Sequence, residues 1–167
     1  MRAICAELGL GRPAPETVDA GLGARSAMYS RWFHPRDGAL ETLTELRRRG
    51  YRLGLVSMCA PDTPALWRAS ALAGSVDDEV FSSEVGLRKP DPAIYRLSAD
   101  RLNVACAGCI YVGDGAYGEL TGAAAVGMVP YLLLDPELDH ASMLTPERDE
   151  WAGASIAHLR AVLDLVP

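Results

Sequence analysis

The sequence predicts an α/β protein, a parallel sheet with helices on both faces in a Rossmann-like, three-layer arrangement. Two observations carry that expectation. From residue 37 onward, short and mostly apolar runs alternate with segments of helical period. Cap residues, prolines and glycines then stand where each helix should begin or stop. Short apolar strands joined by helices form a parallel sheet buried on both sides.

The elements follow in order. Residues 1–36 read as two helical pieces separated by the Gly- and Pro-rich loop 9–15, the second piece over 17–29 despite Gly21 and Gly23. Trp32-Phe33-His34-Pro35 marks a join. Asp37 is an N-cap candidate, and Leu40, Leu43 and Leu46 recur at helical spacing. Arg47, Arg48 and Arg49 fall in the last turn, where the helix dipole favours cations, and Gly50 stops the helix. Residues 51–57 form the first strand. A helix capped near Asp62 carries Leu66, Trp67 and Leu72, and residues 79–82 form a second strand. Asp91-Pro92 opens the next helix with a cap and a proline at its first position, Ile94 and Leu97 supplying part of its buried face. Residues 109–112 and 129–134 are the third and fourth strands, and a last helix is expected over 156–165.

The chain has 167 residues, enough for one domain, or a core with a small appendage, and a real hydrophobic centre. With 49% apolar and 23% charged residues it has ordinary globular composition. A net charge of −6 argues against a nucleic-acid surface, which needs a basic stripe. No apolar run approaches the ~20 residues that span a bilayer, so no membrane segment is expected. The N-terminus has one basic residue and places Glu7 where a signal peptide would stay apolar, so a cytoplasmic protein is expected. Of the four cysteines, only Cys106 and Cys109 have metal or redox spacing. With His34, His140 and His158 far apart in sequence, that pair is read as small buried or edge residues, not as a zinc or redox site.

In such sheets the ligand crevice lies beyond the carboxyl ends of the strands. Ser57 ends the first strand; its hydroxyl could donate to a phosphate oxygen or satisfy a turn. Lys89, in Arg88-Lys89-Pro90-Asp91-Pro92, stands just ahead of a helix N-terminus, which places an ammonium beside an anion-friendly end. The alternative is a solvated surface lysine, and the rigid proline frame favours the functional reading. Asp114 leaves the third strand into a Gly-rich loop, with Glu119 five positions on. Two such carboxylates suit a hard divalent cation such as magnesium (Mg2+), although either could be a helix-end acid instead.

Hydroxyl, lysine and acid pair, in that order at three strand ends, resemble the haloacid dehalogenase superfamily of hydrolases. Ser57 matches its second motif, Lys89 its third, and Asp114 with Glu119 its fourth. The run from Val112-Gly113-Asp114 through Gly122-Ala123 to Gly127-Met128 is similar too, as are Gly50-Tyr51 and Trp151-Ala152-Gly153. The resemblance covers residues 37–165. It implies an α/β core over 37–167, with 1–36 as the remnant of a helical cap.

The same resemblance implies an Asp-x-Asp motif after the first strand of the core, whose first aspartate attacks phosphorus. No strand followed by Asp-x-Asp occurs here. The expectation is that the motif lies upstream of Met1, and that the chain as given is inactive. A complete version would be a magnesium-dependent phosphatase acting on a small phosphorylated metabolite through an aspartyl-phosphate. Ser57 and Lys89 would hold the phosphoryl group, and Asp114 and Glu119 the metal. Met58 stands where halide-displacing relatives have Asn, which disfavours that chemistry. The rival reading is a non-catalytic, truncated paralogue with a vestigial phosphate pocket. The family's first strand lies between the strands ending at Ser57 and Gly113, so its absence leaves two edges unpaired. Closure by pairing residues 53–56 with 110–112, or a homodimer, is expected, with marginal stability.

Overall fold

The structure, a computed structural model, describes residues 9, 11, 13–134 and 146–167. The expected helix at the extreme N-terminus lies outside them. Helix α1, Pro15–Trp32, opens on a proline and runs past both glycines, three residues further at its C-terminal end than the period suggests. Arg25 ties it to the rest of the chain through Asp62, at 2.6 Å. Leu22 and Met28 lie about half exposed on it.

Helix α2, Ala39–Arg48, buries Ala39, Thr42 and Leu46. Its N-cap is Gly38 in a left-handed conformation, so Asp37 is not the cap. Strand β1, Gly54–Ser57, is shorter than expected because Leu53 is held by Asp77: its N–H donates to the Asp77 carboxylate at 2.8 Å, and its carbonyl accepts from the Asp77 N–H at 2.7 Å. Helix α3, Thr63–Arg68, follows Asp62, whose carboxylate pairs with Arg25 instead of capping. Strand β2, Asp78–Phe81, leads into a short helix α4, Ser82–Val85. Helix α5, Pro92–Arg101, starts as the sequence implies: the Asp91 carboxylate accepts the Ala93 N–H, and Pro92 takes the first position, where no N–H is needed. Strand β3, Ile110–Gly113, helix α6, Glu119–Ala125, and strand β4, Val129–Leu133, complete the regular alternation.

The expected last helix is the main departure. Beyond α7, Pro146–Glu150, the chain forms strand β5, Ser155–Ile156, and then a 3-10 helix over Leu159–Asp164. The open edge of β4 decides this: Leu132 N–H donates to Ala154 and Leu134 N–H to Ile156, at 3.0 and 2.8 Å. A ladder to a distant strand outweighs local helical period.

The strands form two parallel sheets. β1 pairs with β2, Val56 opposite Val80, and a second sheet has the order β3-β4-β5, with Val112 opposite Tyr131. Both lie between the same two apolar clusters. One, beneath α5 and α6, holds Val80, Ile94, Tyr95, Ala99 and Ala123, with Val56 and Tyr111 packed against it. The other, beneath α2 and the 3-10 helix, holds Leu46, Ile156 and Val162, with Leu53 and Val112 packed against it. The arrangement is the expected three-layer α/β fold. The expected closure of 53–56 onto 110–112 is not found, since no ladder joins β1 to β3. The helices on one face are tied together: Tyr95 of α5 donates to the Glu119 carbonyl at the start of α6, at 3.0 Å. Gly122 lets α6 come so close that a Cβ there would meet the Tyr95 hydroxyl at 2.6 Å and the Pro90 carbonyl at 2.8 Å.

Candidate active site

The carboxyl ends of β1 and β3 meet around Lys89. The Lys89 N–H donates to Met58 Sδ at 3.3 Å, which draws the loop after α4 onto the residue following β1. The peptide bond that follows, Lys89–Pro90, is cis. Lys89 Nζ lies 2.5 Å from Glu119 Oε2, and the two side chains are only 8% and 5% exposed. Tyr111 of β3 donates its hydroxyl to the same carboxylate oxygen at 2.8 Å, and its ring lies beneath the ammonium at 5.6 Å. Gly115 N–H donates to Glu119 Oε1 at 3.1 Å.

Glu119 thus accepts from an ammonium, a phenol and an amide. A carboxylate so far from water needs donors of this kind, since an unpaired buried charge is costly. The phenols are affected in turn. Burial, and then the negative charge of Glu119, raise the Tyr111 pKa well above its ordinary value, and the same two causes raise that of Tyr95. Gly113 makes room for the arrangement: a Cβ there would run into the Glu119 carboxylate.

Asp114 follows β3 directly, half-buried, and one of its oxygens accepts the Ala116 N–H at 3.0 Å. Ser57 is half-buried at the end of β1, and its hydroxyl makes no hydrogen bond among the described residues. Of the four residues singled out in the sequence, Lys89 and Glu119 are therefore in direct contact. Asp114 adjoins them through Gly115, and Ser57 through Met58. Sequence reasoning missed Tyr111, although a phenol in an otherwise aliphatic strand is a visible signal. It also missed Glu147 of α7, whose carboxylate accepts the Leu120 and Thr121 N–H groups at 3.0 and 2.7 Å. No local pattern announces that contact.

The donor set bears on the expected cation. The second oxygen of Asp114 accepts no hydrogen bond among the described residues, as suits a ligand to a hard divalent ion. Glu119 is already filled by its three donors. Magnesium bound through one carboxylate, waters and substrate phosphate is common chemistry, so Asp114 fits the ion and Glu119 fits an orienting role. Among the described residues no cluster of three or more metal-ligating side chains occurs. Burial raises the Cys109 pKa, and its thiol points to the Ala105 carbonyl at 3.4 Å, which does not favour a reactive thiolate.

Residues 12–127 match the haloacid dehalogenase-like hydrolase family. The chain belongs to that family. Among curated relatives, the mouse haloacid dehalogenase-like hydrolase domain-containing protein 3 is 32% identical over 130 residues, covering 78% of this chain and 52% of the relative. The glyceraldehyde 3-phosphate phosphatase of Methanopyrus kandleri is 31% identical over 119 residues, covering 70% and 51%. The chain thus spans about half the length of these relatives. Solved structures share its fold. A putative β-phosphoglucomutase from Thermotoga maritima superposes with a TM-score of 0.70 at 20% identity, over 92% of this chain and 70% of that one. A phosphatase of the family from Thermococcus onnurineus gives 0.65 at 24% identity, over 78% and 57%. No described helix is long and apolar enough to cross a membrane.

Proposed function

We propose that this chain carries phosphatase machinery for small phosphomonoesters, with residues 37–167 as its core and 1–36 as a remnant of its helical cap. One observation carries the reading: a buried ammonium and carboxylate, Lys89 and Glu119, are in contact, and Lys89 also touches Met58, which follows Ser57 at the end of β1, while Glu119 touches Gly115, which follows Asp114 at the end of β3. No structural role requires all four residues at that place. Several relatives are named as phosphatases.

In this reading an aspartate supplied beside β1 and β3 attacks phosphorus, the ester P–O bond breaks, and the alcohol leaves with a proton from a second acid. Water then cleaves the aspartyl-phosphate and releases inorganic phosphate. Ser57 donates to a phosphoryl oxygen, and Lys89 turns from Glu119 to the phosphoryl group as charge develops there. Magnesium near Asp114, when bound, supplies further neutralisation of phosphoryl charge. The protein would work in the cytoplasm on a soluble metabolite.

The second reading, a non-catalytic module, draws support from Glu119, which Lys89 already neutralises in this arrangement. The test is an N-terminally extended chain carrying an apolar strand and Asp-x-Asp, assayed on an aryl phosphate beside the chain as given. Turnover is expected in the extended form alone, and Lys89→Ala in that form should lower kcat by roughly 100- to 1000-fold. An inactive but folded extended chain, or a Lys89→Ala variant of normal rate, would favour the non-catalytic reading.

A further inference from the structure

Helix α7, Pro146–Glu150, meets the rim of the site through two consecutive residues. Glu147 holds the Leu120 and Thr121 amides at the head of α6. Arg148 packs its backbone on Gly115, where a Cβ would lie 3.0 Å away, and Gly115 has the positive φ of +84° that suits glycine. The loop carrying Asp114 thus gives up a side chain at the point where Arg148 enters. The Arg148 guanidinium then reaches the Leu133 carbonyl, at 3.5 Å, where β4 ends. Leu132 stands opposite Gly113, so Leu133 is beside the place where Asp114 leaves β3.

Arg148 differs from the other arginines in what it meets. Arg25, Arg47, Arg48, Arg49 and Arg68 each have a carboxylate at 2.6–2.9 Å. Arg148 forms no ion pair among the described residues, and its one hydrogen bond there is the long one to Leu133. Its acidic neighbours are otherwise engaged or turned outward. Glu147 is spent on two amides, Asp114 accepts the Ala116 N–H, and Asp149 and Glu150 are exposed. The guanidinium is half-buried, so water compensates it only in part. Its planar fork of N–H donors matches a carboxylate or a phosphate, which it can grip through two parallel bonds.

We propose that Arg148 is a specificity-determining residue: it binds a second anionic group of the substrate, so that the preferred phosphomonoester also carries a carboxylate or another phosphate. The proposal rests on the phosphatase reading. Two cations then flank the Asp114 loop, Lys89 from the β1 side through Met58 and Arg148 from the β4 side through Leu133. Neighbouring strands lie ~4.8 Å apart, so a group held at the end of β4 sits about one such spacing beyond Asp114. A small metabolite with its second charge two or three carbons from phosphorus spans that interval. A neutral sugar or simple alcohol phosphate leaves the guanidinium without its partner and gains nothing from it.

The test reads binding, not turnover, on the full chain in magnesium buffer. The probes are phosphonates, which have no ester bond to cleave. Propylphosphonate carries one anionic group, 3-phosphonopropionate replaces its methyl by a carboxylate, and propane-1,3-diphosphonate adds a second phosphonate. Titrations followed by nuclear magnetic resonance should show one or both dianionic-group probes binding roughly 10- to 100-fold more tightly than propylphosphonate, the effect of a charged hydrogen-bonded pair. The larger gain names the group. Arg148→Met should bring the ratio close to one, Arg148→Lys should keep part of it, and circular dichroism confirms that both variants fold. A ratio near one in the parent chain, or a ratio that survives in Arg148→Met, would overturn the proposal. The double variant Lys89→Met/Glu119→Gln separates that failure from failure of the phosphatase reading. Propylphosphonate should lose its binding there. Undiminished binding to the double variant, or no binding of any probe to the parent chain, would overturn the reading and the proposal together.

Discussion

Lys89 shows how much depends on a single partner. Its ammonium, nearly inaccessible to water, has Glu119 within 2.5 Å and the Tyr111 ring beneath it. Removing it leaves Glu119 with two neutral donors and no cation in a low-dielectric site. Lys89→Ala is therefore expected to cost about 3–5 kcal/mol, the usual range for breaking a buried pair. The double variant Lys89→Met/Glu119→Gln removes both charges and keeps the volume, so it should recover most of that loss. Urea unfolding of the two variants beside the parent measures the difference. Near-parental stability of Lys89→Ala would mean that solvent reaches the pair. Met58 and Gly113 matter at the same scale, one by accepting the Lys89 N–H and the other by having no side chain where the Glu119 carboxylate lies.

Among the elements, α5 is the one whose start the sequence states most clearly. The Asp91 carboxylate accepts the Ala93 N–H at 2.9 Å, so Asp91→Ala should destabilise the protein by about 1 kcal/mol with little change in fold. Thermal unfolding with circular dichroism checks both parts. Asp37 and Asp62 look equally suited to capping, yet Gly38 holds one cap position and Arg25 takes the other carboxylate. Cap chemistry is legible where nothing distant competes, and illegible where a partner arrives from another element. The C-terminal segment teaches the same lesson, because its apolar period suggests helix while the edge of β4 recruits Ser155–Ile156 as a strand. The strand-end positions of Ser57 and Asp114, and the places of Lys89 and Glu119 near helix starts, could be read from chain order alone. The direct contact of Lys89 with Glu119, and the parts played by Tyr111 and Glu147, could not, since each depends on elements brought together by the layers.

At the scale of the molecule, two half-sheets share two helical layers, and buried polar groups concentrate at the seam. Tyr95 and Tyr111 both lie there with pKa values raised by burial and by Glu119. An unfolded tyrosine ionises near ~10. Above that pH the unfolded chain releases protons that the folded chain retains, so the proton count favours unfolding. Stability from these phenols is fully present below pH ~10 and is lost as the pH rises beyond it. Urea midpoints measured from pH 8 to 11 should fall at the alkaline end, and Tyr111→Phe should flatten that fall. A midpoint constant to pH 11 would mean that the phenols are open to solvent.

The Glu147 clasp has a consequence in time. Its carboxylate holds amides at the head of α6 across 26 and 27 residues of chain, and the Arg148 backbone would lie 3.0 Å from a Cβ at Gly115. Closing a loop of that length gives little reward until β3, α6 and β4 already stand, so the clasp should form after the rate-limiting step of folding. Glu147→Ala is then expected to speed unfolding while leaving the folding rate nearly unchanged, a φ-value near zero in stopped-flow kinetics. A value near one would make the clasp part of the nucleus. If it is late, then the loop carrying Asp114 settles last, and the rim of the site is the first region to come undone.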